Sequence, residues 1–380
     1  MSMRPTPKRR VLYLSGTRAD FGLMRSALLL ASVQVDLSVA VTGTHLSAQH
    51  GNTVDEIRAS GLRVCGEIAL DVLTRTPESM AACVGHCLVG LSRLLASERP
   101  DMLLLLGDRG EMLAGAIAAL HLGIVCVHLH GGERSGTVDE PVRHAISKLA
   151  QYHLVATQES RERLLRMGEA AERVLVTGAP GLDALRSDAD SAPADWRAQL
   201  GLGEGSFVLA LFHPVVQQAL QAREQTGALM AALRELGRPV LWLEPNADAG
   251  SREILQALEA APLPAGSCRV AHLPRPVFSA AMQRCAVLVG NSSAGIIEAA
   301  SFGTPVVNVG DRQRLRQRNA NVQDVPAQTP AILAALRQAL EHGRWPCDNL
   351  YGDGHAGERI AHLLATLPIT PAVLEKVNVY

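Results

Sequence analysis

Residues 128–144 concentrate side chains able to move protons. His128-Leu129-His130-Gly131-Gly132-Glu133 is followed by Asp139-Glu140 and then Arg143-His144. A helix starting at Asp139 sets Glu140, Arg143 and His144 on one face, at i, i+3 and i+4. Three carboxylates crowded beside histidines and an arginine push at least one carboxyl pKa upward, which suits a general acid or base. His128 and His130 alternate along a strand and point to opposite faces, so one of them belongs to the core or to a supporting layer. The same residue types ligate metals, but neither a His-x-His nor a His-x-x-x-His pair comes with a recognisable third ligand, and no metal is expected.

Five further strand ends carry unusual polar residues. Ser15-Gly16-Thr17-Arg18-Ala19-Asp20 precedes a helix beginning near Phe21. Free N–H groups at a helix start, with an arginine beside them, suit a phosphate; the plainer reading makes Asp20 a helix cap. Gly107-Asp108-Arg109-Gly110-Glu111 follows an apolar run and presents an acid and a base together. His213 closes another strand, ahead of Pro214, and Glu244–Gly250 is a turn-rich loop whose Asn246 and Asp248 are good turn formers. Gly290-Asn291-Ser292-Ser293-Ala294-Gly295-Ile296-Ile297-Glu298 joins an apolar strand to a helix running to about Phe302. Its small residues let a diphosphate approach the backbone, and Glu298, on the first helical turn, can accept from two ribose hydroxyls. With Arg312, Arg314 and Arg316 downstream, nucleotide diphosphate binding is the favoured reading, against a capping Ser and a dipole-matched acid. Cys83 and Cys87 share a helical face but lack a third ligand and read as core packing. No Walker sequence, G-x-G-x-x-G or G-x-S-x-G occurs.

The elements that must position these groups are legible as short apolar runs: Val11–Leu14, Val35–Val41, Leu62–Leu70, Met102–Leu106, Ile124–Leu129, Leu154–Ala156 and Val174–Val176. Longer amphipathic segments, such as Pro77–Ser97 and Glu140–Gln151, lie between them, the pattern of a buried parallel sheet covered by helices. The rhythm pauses at Asp183–Asp195, which reads as a linker. It restarts with Phe207–Phe212, Val240–Leu243, Arg269–Leu273, Val287–Val289 and Val306–Val309. The expected fold class is α/β, with two Rossmann-like doubly wound domains and a cleft between them. Residues 1–185 form the first domain, 196–365 the second, and 366–380 a tail packing back on the first.

A chain of 380 residues with 47% hydrophobic and 19% charged residues can build two sizeable cores and is not disordered. Lys+Arg 36 against Asp+Glu 37 gives a net charge of -1, so there is no electrostatic case for nucleic acid or an acidic membrane surface, and neither is an expected partner. Seven irregularly spaced cysteines indicate no disulfide framework. With no signal-like segment and no run of 18 apolar residues, a cytoplasmic location is expected.

Taken together, Gly16–Asp20, Gly107-Asp108-Arg109, His130–Glu133, Asp139 through Arg143-His144, His213-Pro214, Gly290–Glu298 and Gly310–Arg314 resemble the hydrolysing UDP-N-acetylglucosamine 2-epimerases over roughly residues 10–365. The resemblance implies the fold of the B-type glycosyltransferases, with the nucleotide held mainly by the second domain and neither metal nor nicotinamide needed. It implies release of UDP from a UDP-2-acetamido sugar with inversion at C2, yielding N-acetylmannosamine for sialic acid or 2,4-diacetamido-2,4,6-trideoxymannose for legionaminic acid. By the same resemblance Arg18, Arg109, His213, Asn246, Ser292, Ser293, Glu298 and Arg312 contact the nucleotide diphosphate, and Asp108, Asp139 and Glu140 are catalytic acids. Asp20, Arg143 and His144 complete the expected ligand contacts. Many members have two Asp where this chain has Asp139-Glu140, and some have a catalytic Glu where it has His130; Glu133 or His130 is then left to carry proton transfer. A homodimer or homotetramer is expected. A non-hydrolysing epimerase, a B-type glycosyltransferase and a non-catalytic nucleotide-sugar sensor are the rival readings.

Overall fold

The computed structural model describes residues 8–74, 76–135, 139–245 and 250–379. The chain divides into two compact units, each built on one parallel sheet. In the first, β1 (Arg10–Ser15), β2 (Asp36–Thr42), β3 (Arg63–Ile68), β4 (Met102–Leu106), β5 (Val125–Leu129), β6 (Tyr152–Val155) and β7 (Val174–Val176) lie in the order β3-β2-β1-β4-β5-β6-β7. Every residue of β4 and β5 is buried, because helices cover both faces of the sheet and leave no face for polar side chains. The strand order reverses between β1 and β4, so the connections leaving these two neighbours diverge to opposite faces and open a crevice at their carboxyl ends. Ser15–Asp20 and Gly107–Glu111 stand there, with His130–Glu133 beside them at the end of β5.

In the second unit, β8 (Val208–Leu211), β9 (Val240–Leu243), β10 (Cys268–Val270), β11 (Val287–Gly290), β12 (Val306–Val309) and β13 (Val322–Val325) take the order β10-β9-β8-β11-β12-β13. Its reversal point lies between β8 and β11, whose carboxyl ends carry His213 and the Gly290–Glu298 segment.

Three boundaries differ from the sequence reading. Asp183–Asp195 is not a plain linker: it holds a short helix, Leu185–Asp190, docked by its two buried apolar residues, Leu185 and Ala189. The last crossing between units falls after Leu350, not at 365: the helix Ala356–Thr366 packs on the helix Arg18–Gln34, burying Ile360, Ala361 and Leu364 in the first unit's core. Asp183 fixes its start by accepting from the N–H groups of Ala356 (2.9 Å) and Gly357. The helix after β11 stops at Ile297 and continues as a 3-10 turn through Phe302, which puts Glu298 at the helix's end rather than on its first turn.

The segment after that returning helix is pinned by a buried charge cluster. Lys376 donates to Glu169 (2.6 Å) and to the carbonyls of Ser147 (2.7 Å) and Ala150 (2.6 Å), while His153 and Lys148 also meet Glu169. Burial opposes ionisation of Glu169, but these three partners outweigh it and hold its pKa at about 2. All seven cysteines are free, and burial pushes the thiols of Cys87, Cys126 and Cys285 up to about 12, as expected of inert core residues.

Candidate active site

The loop after β5 is shaped by what its glycines exclude. A Cβ at Gly131 would sit 2.9 Å from the Ser147 hydroxyl, and one at Gly132, with φ +75°, 2.4 Å from the Ser160 carbonyl. The chain therefore presses against the helices below, and His130 just before them takes φ 61°. A β-carbon in that region carries strain, which is held only where the surroundings dictate the conformation. The result aims the His130 imidazole at Glu133, Nδ1 to Oε1 at 2.5 Å, with both side chains largely shielded from solvent. A carboxylate oxygen accepts from Nδ1–H, which leaves Nε2 as the ring nitrogen turned away from Glu133. This is the supporting arrangement of an acid–base histidine.

His128 is the other kind of histidine. It is fully buried, donates from Nε2 to the Gly107 carbonyl at 2.7 Å, and meets the Ser147 hydroxyl at Nδ1 (3.1 Å). Burial drives its pKa down to about 3. It thus pins the β4 loop that presents Asp108, as the strand alternation requires of one member of the pair.

Asp108 forms an ion pair with Arg143, which also donates to the Glu133 carbonyl at 2.8 Å. Arg143 is 1% exposed. Its guanidinium ties the β4 and β5 loops together, because a buried charge must be paired. Glu140 and His144 share a face of the helix Asp139–Leu149 as expected, 3.7 Å apart, with Asp139 beside them on the first turn. Burial lowers the His144 pKa, against the opposing pull of Glu140.

Asp20 is likewise engaged within the protein. It is buried and accepts from Ser15 Oγ (2.5 Å), the N–H groups of Thr17 (2.7 Å) and Gly16 (2.9 Å), and the hydroxyls of Thr17 (3.1 Å) and Tyr13 (3.2 Å). Its role is to lock the β1 turn through a capping box with Thr17. His45, which sequence reasoning did not single out, extends this network from Ser15 (2.9 Å) to Thr53 (2.7 Å). Arg18 is bridged to Glu56 at 2.6 Å, and Arg109 lies 3.4 Å from Glu111.

In the second unit the β8 and β11 ends are stitched by Asn291, whose side-chain oxygen accepts from His213 N (2.7 Å) and whose amide donates to His213 O (2.8 Å). Arg312 and Gln313 both donate to the Asn291 carbonyl at 3.1 Å. The two expected contacts His213 and Arg312 therefore belong to one hydrogen-bonded group, and Asn291, which joins them, was not singled out. Gly290 has φ 137°, and a Cβ there would lie 1.9 Å from the Leu211 carbonyl oxygen. Ser292 caps the helix Ser293–Ile297. Glu298 is buried and paired with Arg275 at 2.6 Å, which in turn approaches Asp188 (3.6 Å); neither partner was legible in the sequence, since both come from distant elements. Asn246 lies outside the described residues. Among the described residues, no three of His, Cys, Asp or Glu gather as a metal-holding group.

Burial, and secondarily the adjacent Arg312, lower the His213 pKa to about 3. His128 and His213 thus bind protons more weakly folded than unfolded, where the reference is 6.5. Between those values the unfolded chain takes up more protons, so stability is full above pH 6.5 and is lost as pH falls below it. Each histidine contributes up to about 1.4 kcal/mol per pH unit in that window. Thermal unfolding scans should show Tm falling steadily from pH 6.5 towards 4. A flat profile would remove the case for buried neutral histidines.

The family model described as UDP-N-acetylglucosamine 2-epimerase matches residues 29–365. The UDP-N,N'-diacetylbacillosamine 2-epimerase (hydrolyzing) of Legionella pneumophila is 47% identical over 98% of this chain and 100% of its own length. The UDP-N-acetylglucosamine 2-epimerase of Neisseria meningitidis is 33% identical, over 94% and 95%. In fold, a crystal structure of UDP-GlcNAc 2-epimerase from N. meningitidis bound to UDP-GlcNAc superposes with TM-score 0.78 at 19% identity, covering 93% of this chain and 99% of that one.

Proposed function

Because the chain belongs to the UDP-N-acetylglucosamine 2-epimerase family, we propose that it hydrolyses a UDP-2-acetamido sugar with inversion at C2, releasing UDP and the free manno sugar. The observation that carries this reading is the 47% identity, end to end, to a relative named as a hydrolysing 2-epimerase. The same relative favours UDP-2,4-diacetamido-2,4,6-trideoxyglucose over UDP-N-acetylglucosamine as substrate, and with it a place in nonulosonic acid synthesis of the legionaminic rather than the sialic type.

The chemistry is an elimination followed by an addition. A base removes the C2 proton while the C1–O bond breaks and UDP departs with the electron pair, leaving a glycal. Water then adds at C1, and a proton returns to the opposite face of C2. Two proton-transfer groups on opposite faces of the ring are required. The His130–Glu133 pair is suited to one of these roles and Asp108, held by Arg143, to the other, with Asp139 and Glu140 as further acids. The second unit's His213, Ser292, Ser293, Glu298 and Arg312 are assigned to UDP, together with Asn246; Arg18 and Arg109 are assigned to its charge, which must be neutralised as it leaves.

Turnover in D₂O tests the reading. The product sugar should carry deuterium at C2, and ¹⁸O from labelled water should enter C1 of the sugar, read early, and not the UDP. Retained protium at C2 would overturn it. UDP remaining attached to the inverted sugar would indicate a non-hydrolysing epimerase, and transfer to an added acceptor a glycosyltransferase. Comparing kcat/KM for the two UDP-sugars decides between substrates.

The nucleotide assignment has its own expected result. Ser292→Ala and Glu298→Ala should raise KM more than they lower kcat, since contacts to a non-reacting part of the substrate are made equally before and during the reaction. Steady-state kinetics check this; a fall in kcat alone in either variant would contradict it.

A further inference from the structure

The helix Asp139–Leu149 carries Asp139 and Glu140 on its first turn and Arg143, which holds Asp108, one turn later. It has only 11 residues, too few to be stable by itself, so contacts elsewhere must fix where its first turn stands. Its far end lacks the usual partner. The N–H of Gln151 donates to Cys126 O (2.9 Å) rather than back into the helix, which leaves Ser147 O without a helical donor. Lys376 fills that place from the other end of the sequence. Its ammonium donates to Ser147 O (2.7 Å) and Ala150 O (2.6 Å) and meets Glu169 at 2.6 Å. A cation over the last carbonyls of a helix also matches the helix dipole. Lys148, on the helix itself, reaches the same carboxylate (2.8 Å) and Asn378 Oδ1 (2.6 Å). Ser147 in turn meets His128 through its hydroxyl, and His128 holds Gly107, the neighbour of Asp108.

We propose that, given the assignment of Asp108, Asp139 and Glu140 to proton transfer, Lys376 is a positioning residue of the candidate active site. It sets the place of this helix along its own axis, and with it the place of Asp139, Glu140 and the Arg143–Asp108 pair. Packing alone does not call for a cation here. The Lys376 side chain is 11% exposed, and taking an ammonium that far out of water is less favourable than burying an apolar residue of the same length. What the charge adds is direction: acceptors from two separate segments, Ser147 and Ala150 on one and Glu169 on the other, converge on a single nitrogen. A helix moves as a rod, so a shift at Ser147 is passed to Asp139, about 12 Å away along the axis. A displacement of about 1 Å in a reacting group costs on the order of 10²-fold in rate. Arg173 provides the contrast. It donates to the carbonyls of Ala372 (3.0 Å) and Val373 (3.1 Å), and so holds the same tail by contacts that bypass the helix.

Steady-state kinetics with the two UDP-sugars, calorimetry with UDP and thermal scans of the full chain test this. Lys376→Met keeps the apolar stem and removes the charge, and should lower kcat by roughly ten- to a hundredfold. KM and UDP affinity should stay within about threefold, because the nucleotide is assigned to the second unit. Lys376→Arg still donates and still faces Glu169 with a positive charge, and should regain most of the lost rate. If the Met variant is insoluble, Lys376→Gln, which keeps a donor but not the charge, should show the same fall in kcat. Arg173→Ala should lower Tm and leave kcat within about twofold, since it frees the tail without releasing the helix. Parental kcat in the variants without the charge, a loss of kcat shared equally by Arg173→Ala, or an Arg variant no faster than the Met or Gln variant would overturn this role for Lys376 alone. A parent that turned over neither UDP-sugar would overturn the proposed function, and this role with it.

Discussion

Asp108→Asn is expected to lower kcat by about 10²–10⁴-fold, the usual worth of a positioned acid or base. UDP affinity should stay within about tenfold, less than 1.4 kcal/mol. The separation follows from where the residue sits. Asp108 projects from the β4 loop of the first unit, held from below by His128 at the Gly107 carbonyl and from the side by Arg143. The groups assigned to the nucleotide are organised around Asn291 on a different sheet. Asparagine keeps an oxygen for Arg143 to donate to, so the loop holds its place while the proton-transfer capacity is removed. It does leave the buried guanidinium without its full counter-charge, and a lower Tm should accompany the loss of turnover. Calorimetric titration with UDP, a turnover assay and a thermal scan of one variant separate these effects. Near-normal turnover would take Asp108 out of the mechanism.

Gly290→Ala should prevent the second unit from folding. At φ 137° only glycine is at ease, and the added Cβ would lie 1.9 Å from the carbonyl oxygen and 2.5 Å from the carbonyl carbon of Leu211. Those are main-chain atoms of the paired strand β8, so no rotamer change relieves the clash; β8 and β11 would have to part at the sheet's centre. The Asn291 N–H bond to Leu211 O (3.0 Å) and the two Asn291–His213 bonds would go with them. A cost of roughly 3 kcal/mol or more is a substantial part of a domain's stability. The expected outcome is insoluble protein, or a soluble one that has lost a cooperative unfolding step in denaturant. A variant with parental unfolding behaviour would show that this strand junction tolerates a β-carbon.

Strand positions follow from features that lie close together in sequence, which is why most of them were legible. Met102–Leu106, Val240–Leu243 and Val306–Val309 read as strands to the residue, because a strand covered on both faces can contain little but apolar side chains; the edge strand Val174–Val176 was read as well because its three residues are all apolar. β13, Val-Gln-Asp-Val, was not read, since an edge strand keeps one side in water and its pattern is too short to stand out. The strand-end polar motifs marked the candidate site for the same local reason. What could not be read was the pairing: Arg143 to Asp108, Arg275 to Glu298 and His45 to Ser15 join residues 23 or more positions apart. The internal partners of Asp20 and Arg143 were not legible either, because a charged residue at a strand end looks the same whether it meets a substrate, another loop or both.

The return of residues 351–380 to the first unit fixes an order of assembly on the ribosome. The second unit's strands and its covering helix Thr329–His342 have been translated by His342, whereas the first unit lacks its covering helix Ala356–Thr366 and the Lys376 anchor until residues 356–376 are made. The half of the protein made first is thus the half finished last. Until that helix is made, the apolar side chains of the helix Arg18–Gln34 that it covers stand open to chaperones, and a chain cut before Ala356 would carry a complete second sheet beside an incomplete first unit.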